Sequence, residues 1–108
     1  MSIRDRRSGI ERRGSNRYTV EVEVEWQDSG HRWPGALSDV SLNGCFVLSS
    51  GEVNDGDHVK IFVPMGEGKE AEFGGLVANH VLEIGFGLRF DELSNAQRDV
   101  LVTMVRND

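Results

Sequence analysis

The chain has 108 residues, of which 38% are hydrophobic and 28% are charged. This provides enough apolar surface for one small globular domain and too much for a fully disordered chain. No apolar run reaches the roughly 18 residues that a membrane-spanning helix needs, and the arginine-rich start does not resemble a signal peptide. One cysteine cannot form an internal disulfide, and three scattered histidines do not suggest a metal site. We therefore predict a single-domain cytoplasmic protein with no membrane insertion and no structural metal.

The first 17 residues differ from the rest of the chain in charge and pattern. They hold six arginines and two acidic residues, which gives a local charge of +4. Because the net charge of the whole chain is −6, residues 18–108 together carry a charge of −10. Apolar periodicity is missing there, and glycine, serine and asparagine favour coil. We predict a flexible arginine-rich arm over residues 1–17 and a folded domain over residues 18–108. Arginine suits phosphate and guanine edges, so the arm suggests an anionic partner; a solvated arm that only improves solubility is the alternative.

Six short strands are predicted after the arm. Tyr18 to Gln27 alternate apolar and polar side chains, which is typical of a half-buried strand. A second strand from His31 to Val40 is expected to be interrupted near Pro34-Gly35, because proline removes a hydrogen-bond donor and implies an edge or a bulge there. The other four predicted strands are Cys45 to Leu48, His58 to Pro64, Ala71 to Val81 with a bend or bulge at Gly74-Gly75, and Phe86 to Phe90. Tight turns at Ser41 to Gly44 and Gly66 to Gly68 separate some of them, and such spacing favours an antiparallel barrel or sandwich over parallel βαβ units.

Only the end of the chain has a helical pattern. Ser94 and Gln97 have the spacing of a capping box, in which each side chain bonds the backbone of the other. The apolar residues that follow fall on one stripe at helical spacing: Leu93, Ala96, Val100, Leu101, Met104 and Val105. We expect this helix to pack on the barrel through the stripe.

Residues for catalysis are scarce. The histidines lie in three different segments, without a nucleophile and base arrangement, and no phosphate-binding glycine loop is present. Cys45 begins an apolar strand, which favours a buried, unreactive thiol. An enzyme is therefore the least favoured class of function.

Two short segments carry more specific chemistry. Arg13 and Arg17 lie four residues apart just before the first strand, where a curled linker brings both guanidinium groups to one ligand. Asp39, Ser41 and Gly44 follow at the junction of the second and third strands. Asp39 supplies a carboxylate for the donors of a guanine edge, Ser41 a hydroxyl, and Gly44 a turn without a side chain. Each segment also has a simpler explanation, since paired arginines arise by chance in such an arm and the second segment is a good β-turn.

In this order and at this distance, the two segments resemble the RxxxR and [D/N]xSxxG motifs of the PilZ domain family. The resemblance covers most of the chain, including Gly85 to Phe90, which is similar to the family's closing strand. It implies a six-stranded antiparallel Greek-key β-barrel with a C-terminal α-helix. It also implies that Arg13, Arg17, Asp39, Ser41 and Gly44 bind the bacterial second messenger cyclic di-GMP. One departure is that residues 14–16 lack the aromatic or histidine often found there, so the resemblance does not extend to stacking from that loop.

Arg12 comes directly before the RxxxR motif. In the PilZ family this position influences whether one ligand molecule or a stacked pair is bound, and a further cation there favours the pair, whose four phosphates need more neutralisation. The resemblance therefore implies that Arg12 also contacts the ligand, and that the ligand binds as a stacked dimer.

We therefore expect a cyclic di-GMP receptor or adaptor with no catalytic activity and no cofactor. The nucleotide would order the arm and alter the surface offered to an unidentified downstream protein. One alternative is a nucleic-acid-binding β-barrel that uses the same arginines, although the acidic body and the scarcity of exposed aromatics disfavour nucleic acid. Another is a PilZ-type interaction adaptor that binds no ligand.

Overall fold

The computed structural model describes residues 16–106, which form six β-strands and one α-helix. The elements are β1 Tyr18–Gln27, β2 Arg32–Val40, β3 Gly44–Leu48, β4 His58–Gly66, β5 Lys69–Val81, β6 Gly85–Phe90 and α1 Asn95–Arg106. All six predicted strands and the predicted helix are present. Of the predicted arm, only the last two residues fall within the described range.

The six strands close into one antiparallel barrel. Around the barrel the order is β1, β2, β3, β6, β5 and β4, and pairing of β4 with β1 completes the ring. The fourth strand thus lies beside the first while the first three are joined in sequence, which is the Greek-key arrangement. The predicted fold class is confirmed. The closing contact is short, because β1 and β4 pair only between Glu25–Gln27 and Lys60–Phe62.

Alternate residues of the strands point inward and form the core. The largest completely buried side chains are those of Trp26, Phe73, Phe86 and Ile61. The Trp26 ring meets Phe86 edge-on, with ring centroids 5.0 Å apart, and its Nε1 donates a hydrogen bond of 3.0 Å to Ser49 Oγ. This satisfies the one polar atom that the indole brings into the core.

Two details of the strand prediction are wrong. β2 runs without interruption through Pro34 and Gly35, which pair in register with β1. Proline is tolerated because the pairing of β2 with β3 extends only to Ala36, so Pro34 has a strand neighbour on one side alone, and this part of β2 is the edge that the proline implied. β5 likewise continues through Gly74-Gly75, where a Cβ on Gly75 would lie 2.3 Å from the Arg89 carbonyl oxygen. Gly75 therefore permits close contact between β5 and β6 rather than a bend, whereas a Cβ on Gly74 would meet the Asp91 side chain at 2.9 Å.

The helix begins with the predicted capping box. The Ser94 amide donates to Gln97 Oε1 at 2.9 Å, and the Gln97 amide donates to Ser94 Oγ at 3.1 Å. Leu101 and Met104 of the apolar stripe are buried in the core. Ala96 is exposed, contrary to prediction, because at 3.6 residues per turn it lies about 140° around the helix from Leu101. Within residues 16–106, no helix is both long and apolar enough to cross a bilayer.

Candidate functional site

Two irregularities in strand pairing lie close together at one end of the barrel. The register between β1 and β2 shifts between Thr19 and Val22, and the register between β2 and β3 shifts between Leu37 and Asp39. A bulge bends its strand and changes the direction of nearby side chains, and bulges are common beside functional sites. Asp39 follows directly after one of these shifts and pairs with Thr19 beside the other.

An ion pair between Arg17 and Asp39 joins the two sequence motifs. The Arg17 guanidinium Nη1 donates to Asp39 Oδ1. Both side chains remain open to solvent, with 59% of the Arg17 side chain and 32% of the Asp39 side chain exposed. Such exposed pairs stabilise a fold by only about 0.2–1 kcal/mol, so a charged ligand can compete for either partner.

Ser41 holds the turn between β2 and β3. It is buried, and its Oγ accepts hydrogen bonds from the Asn43 amide at 3.0 Å and the Gly44 amide at 3.2 Å. The Ser41 amide also donates to the Gly44 carbonyl at 2.8 Å. These bonds satisfy the turn locally and fix its position relative to Asp39. Ligand contact by the Ser41 hydroxyl stays a prediction.

Gly44 is needed where β3 meets β6. A Cβ on Gly44 would lie 2.0 Å from the Leu88 carbonyl oxygen, closer than real Cβ contacts ever come. The neighbouring Asn43 carbonyl accepts a hydrogen bond of 2.8 Å from the Phe90 amide, which ties the turn to β6. Gly44 therefore has a role in closing the barrel, and its contact with ligand remains a prediction.

Cys45 lies beneath this surface, in the core. It is buried, as predicted, and burial raises the pKa of its thiol from 9.0 to about 12, with a smaller contribution in the same direction from the Asp39 carboxylate. A thiol with so high a pKa is almost entirely protonated near neutral pH, and it is therefore a poor nucleophile.

Two neighbours of Asp39 were not identified from the sequence. Asp39 pairs with Thr19 on β1 and with Phe46 on β3, and paired residues share one face of a sheet. Phe46 alternates with the buried Cys45 and Val47, which places its half-buried ring on the outer surface beside the carboxylate. The alternation along β3 could have indicated this outward position, but only the register shows that Asp39 lies opposite.

An apolar cleft of about 240 Å³ opens beside the same turn. Tyr18 and Leu42 line its barrel side, and Leu101, Val102 and Val105 of α1 line the other. Tyr18 is exposed although its position in the alternating pattern predicts burial, because it pairs with the last residue of β2 at the barrel's end. Arg106 completes the lining of the cleft, and neither Arg17 nor Asp39 is among the residues that form it.

The structure thus brings together Arg17, Asp39, Ser41 and Gly44. Arg12 and Arg13 lie outside the described residues. Across residues 16–106, no group of three or more histidine, cysteine or acidic side chains is placed to hold a metal ion.

The fold is similar to solved structures of two bacterial proteins. The PilZ domain of CeSA from a cellulose-synthesizing bacterium aligns with a TM-score of 0.66 at 18% sequence identity, over 86% of this chain and 97% of that one. The Bacillus subtilis inhibitor of motility, MotI/DgrA, aligns with a TM-score of 0.64 at 16% identity, over 84% of this chain. This chain spans about half of MotI/DgrA, covering 48% of its length. At these identities the likeness concerns the fold.

The sequence gives a separate and more specific match. No curated protein sequence matches the chain significantly. The sequence profile of the PilZ domain, however, matches residues 11–107, a range that includes both arginines of the RxxxR motif and the whole barrel. The profile match covers nearly the entire chain and agrees with the fold and with the position of the motifs. The chain therefore belongs to the PilZ domain family.

Proposed function

We propose that this protein binds cyclic di-GMP through Arg12, Arg13, Arg17 and Asp39, with the Ser41 to Gly44 turn as part of the site. The observation that carries the proposal is the contact between Arg17 and Asp39, which joins the RxxxR segment to the DxSxxG turn on one surface. Membership of a family of cyclic di-GMP receptors supports the identity of the ligand.

The chemistry of the pair fits the two parts of the nucleotide. An ionised carboxylate accepts hydrogen bonds only, so Asp39 can take both the N1 and N2 donors of a guanine edge. Adenine does not present this pair of donors, and Asp39 would therefore select guanine. Arginine binds phosphate oxygens with two parallel hydrogen bonds and also stacks on ring faces, which suits the arginines to the remainder of the ligand.

Binding requires the Arg17–Asp39 pair to open or to share its charges. Because the pair is exposed, opening it costs about 0.2–1 kcal/mol. A hydrogen bond to a charged group contributes about 1.5–3 kcal/mol, so each new contact more than offsets this cost. In the free protein the pair holds Arg17 close to where the ligand would bind.

The signal would pass through the arm. Nucleotide contacts at Arg12, Arg13 and Arg17 would fix residues 12–17 against the barrel and change the surface that a downstream protein meets. The barrel would change little, since its strands already form a closed ring. In this account the protein is an adaptor without catalytic activity of its own. Amide hydrogen exchange tests it, with slower exchange expected at residues 12–17 on adding ligand.

The ligand is tested by parallel calorimetric titrations with cyclic di-GMP, cyclic di-AMP, GTP and a short single-stranded DNA. We expect saturable binding of cyclic di-GMP and at least tenfold weaker binding of the other three. Asp39→Ala should reduce the preference for cyclic di-GMP over cyclic di-AMP. Tighter binding of DNA than of cyclic di-GMP would contradict the proposal and favour a nucleic-acid-binding barrel. Absence of binding to any nucleotide would favour a ligand-free adaptor.

A further inference from the structure

Four exposed aliphatic side chains cluster around the turn between β5 and β6. Val81 ends β5, Leu82 and Ile84 lie in the turn, and Leu48 on β3 pairs with Gly85 beside them. Leu82 is 70% exposed and Ile84 is 55% exposed. We call Leu48, Val81, Leu82 and Ile84 the hairpin patch. Single exposed aliphatic residues are common, but four adjoining ones mark an interaction surface.

The backbone holds the hairpin patch in place. The Ile84 amide donates to the Val81 carbonyl at 2.9 Å, and the Ser49 amide donates to the Ile84 carbonyl at 3.0 Å. The second bond ties the turn to the segment after β3. Because the patch is fixed before binding, a partner would not need to order it, which favours affinity.

An acidic cleft of about 390 Å³ adjoins the hairpin patch and shares Val81 and Leu82 with it. Four carboxylates line this cleft, those of Asp28, Glu52, Asp57 and Glu83. Among the described residues, no lysine or arginine lines it. His80, at its rim, is already paired with Asp55, with Nδ1 and Oδ1 2.7 Å apart. The surface thus combines an aliphatic centre with a border of one sign of charge.

We propose that the hairpin patch and the acidic cleft together dock a basic amphipathic segment of a partner protein. Aliphatic side chains of the partner would cover Leu82 and Ile84, while its lysines or arginines would face the carboxylates. A symmetric pair of copies would instead bring the two acidic borders together, and an anionic bilayer would be repelled by them. Asp28 of the cleft follows the last residue of β1, whereas Arg17 precedes its first residue, so the two sites lie at opposite ends of this strand. The proposal is therefore independent of the nucleotide site.

The probe is a synthetic amphipathic peptide of leucine and lysine, with a leucine and glutamate peptide of the same pattern as control. Fluorescence anisotropy of the labelled peptides with the full chain should show saturable binding of the lysine peptide alone. Binding should weaken as salt increases, because the charges are exposed. Sedimentation of the protein alone should show a monomer.

The hairpin between β4 and β5 provides matched control variants for the hairpin between β5 and β6. Glu83 and Glu67 both lie in β-hairpin turns with positive φ, 65° and 55°, so reversing either charge changes the same kind of position. We expect Glu83→Lys and the double change Leu82→Ser with Ile84→Ser to weaken peptide binding at least tenfold. Glu67→Lys and Met65→Ser, which lie at the β4–β5 hairpin, should stay within twofold of wild type.

Three results would overturn the proposal. Equal weakening by Glu83→Lys and Glu67→Lys would mean that the peptide senses only net charge. A dimer that dissociates in the Leu82→Ser, Ile84→Ser variant would make a second copy the occupant. Failure of the wild type to bind the lysine peptide would show that the surface is already covered, for instance by the chain's own arginine-rich arm, or that it binds no such segment.

Discussion

Gly44→Ala should destabilise the barrel by about 2–4 kcal/mol. The added Cβ would lie 2.0 Å from the Leu88 carbonyl oxygen, where contacts under 3.0 Å essentially never occur, so β3 and β6 must separate by about 1 Å. That movement stretches the bond of 2.8 Å between the Phe90 amide and the Asn43 carbonyl beyond hydrogen-bond range. Lost hydrogen bonds cost about 0.5–1.5 kcal/mol each, and residual overpacking costs about 1–3 kcal/mol.

Urea unfolding followed by tryptophan fluorescence measures the effect, since Trp26 is completely buried in the native barrel. Gly30→Ala is the matched control, because a Cβ there comes no closer than 4.0 Å to any other group and its φ is not positive. We expect this control to remain within about 0.5 kcal/mol of wild type. A Gly44→Ala protein as stable as Gly30→Ala would refute the argument that barrel closure requires this glycine.

Three further outcomes are expected. The Cys45 thiol has a pKa of about 12 in the folded protein and an ordinary pKa of 9.0 in the unfolded chain, so the unfolded chain loses the proton first as the pH rises. The free energy of unfolding, measured relative to Cys45→Ala, should therefore fall by up to about 4 kcal/mol between pH 9 and pH 12. A difference between the two proteins that stays constant with pH in urea titrations would contradict this. Ser94→Ala removes the cap of α1 and should cost about 1 kcal/mol in thermal unfolding, whereas an unchanged melting temperature would mean that the capping box does not stabilise the helix. Arg12→Leu should shift the ligand stoichiometry in native mass spectrometry from two cyclic di-GMP towards one, and a wild type that saturates with one ligand would exclude the stacked pair.

The sequence predicted the elements well because each has a local cause. Alternation of valine and glutamate along β1 follows from one face being buried, and the strand has the predicted bounds. The reciprocal bonds of Ser94 and Gln97 depend only on residues three apart, which is why the helix start could be located. The presence of both the RxxxR and the DxSxxG motifs also predicted the PilZ family, which the profile match confirms.

Features set by contacts between distant strands could not be predicted. The role of Gly44 depends on the Leu88 carbonyl, 44 residues later in the chain, and no local pattern places these two together. The position of Phe46 beside Asp39 depends on a register shift between β2 and β3. Pro34 indicated an edge or a bulge, but only the pairing with β1 shows that β2 continues through it.

The most direct test of the proposed function is calorimetry of cyclic di-GMP with wild type, Arg17→Ala, Asp39→Ala and Arg98→Ala. Arg98 lies exposed on α1 and controls for the loss of one positive charge. Arg17→Ala removes hydrogen bonds from a charged group, each contributing about 1.5–3 kcal/mol, so binding should weaken at least tenfold. Asp39→Ala should also weaken it, while Arg98→Ala should bind like wild type and all four proteins should remain folded. Unchanged affinity in Arg17→Ala would contradict a nucleotide site at the junction of the two motifs.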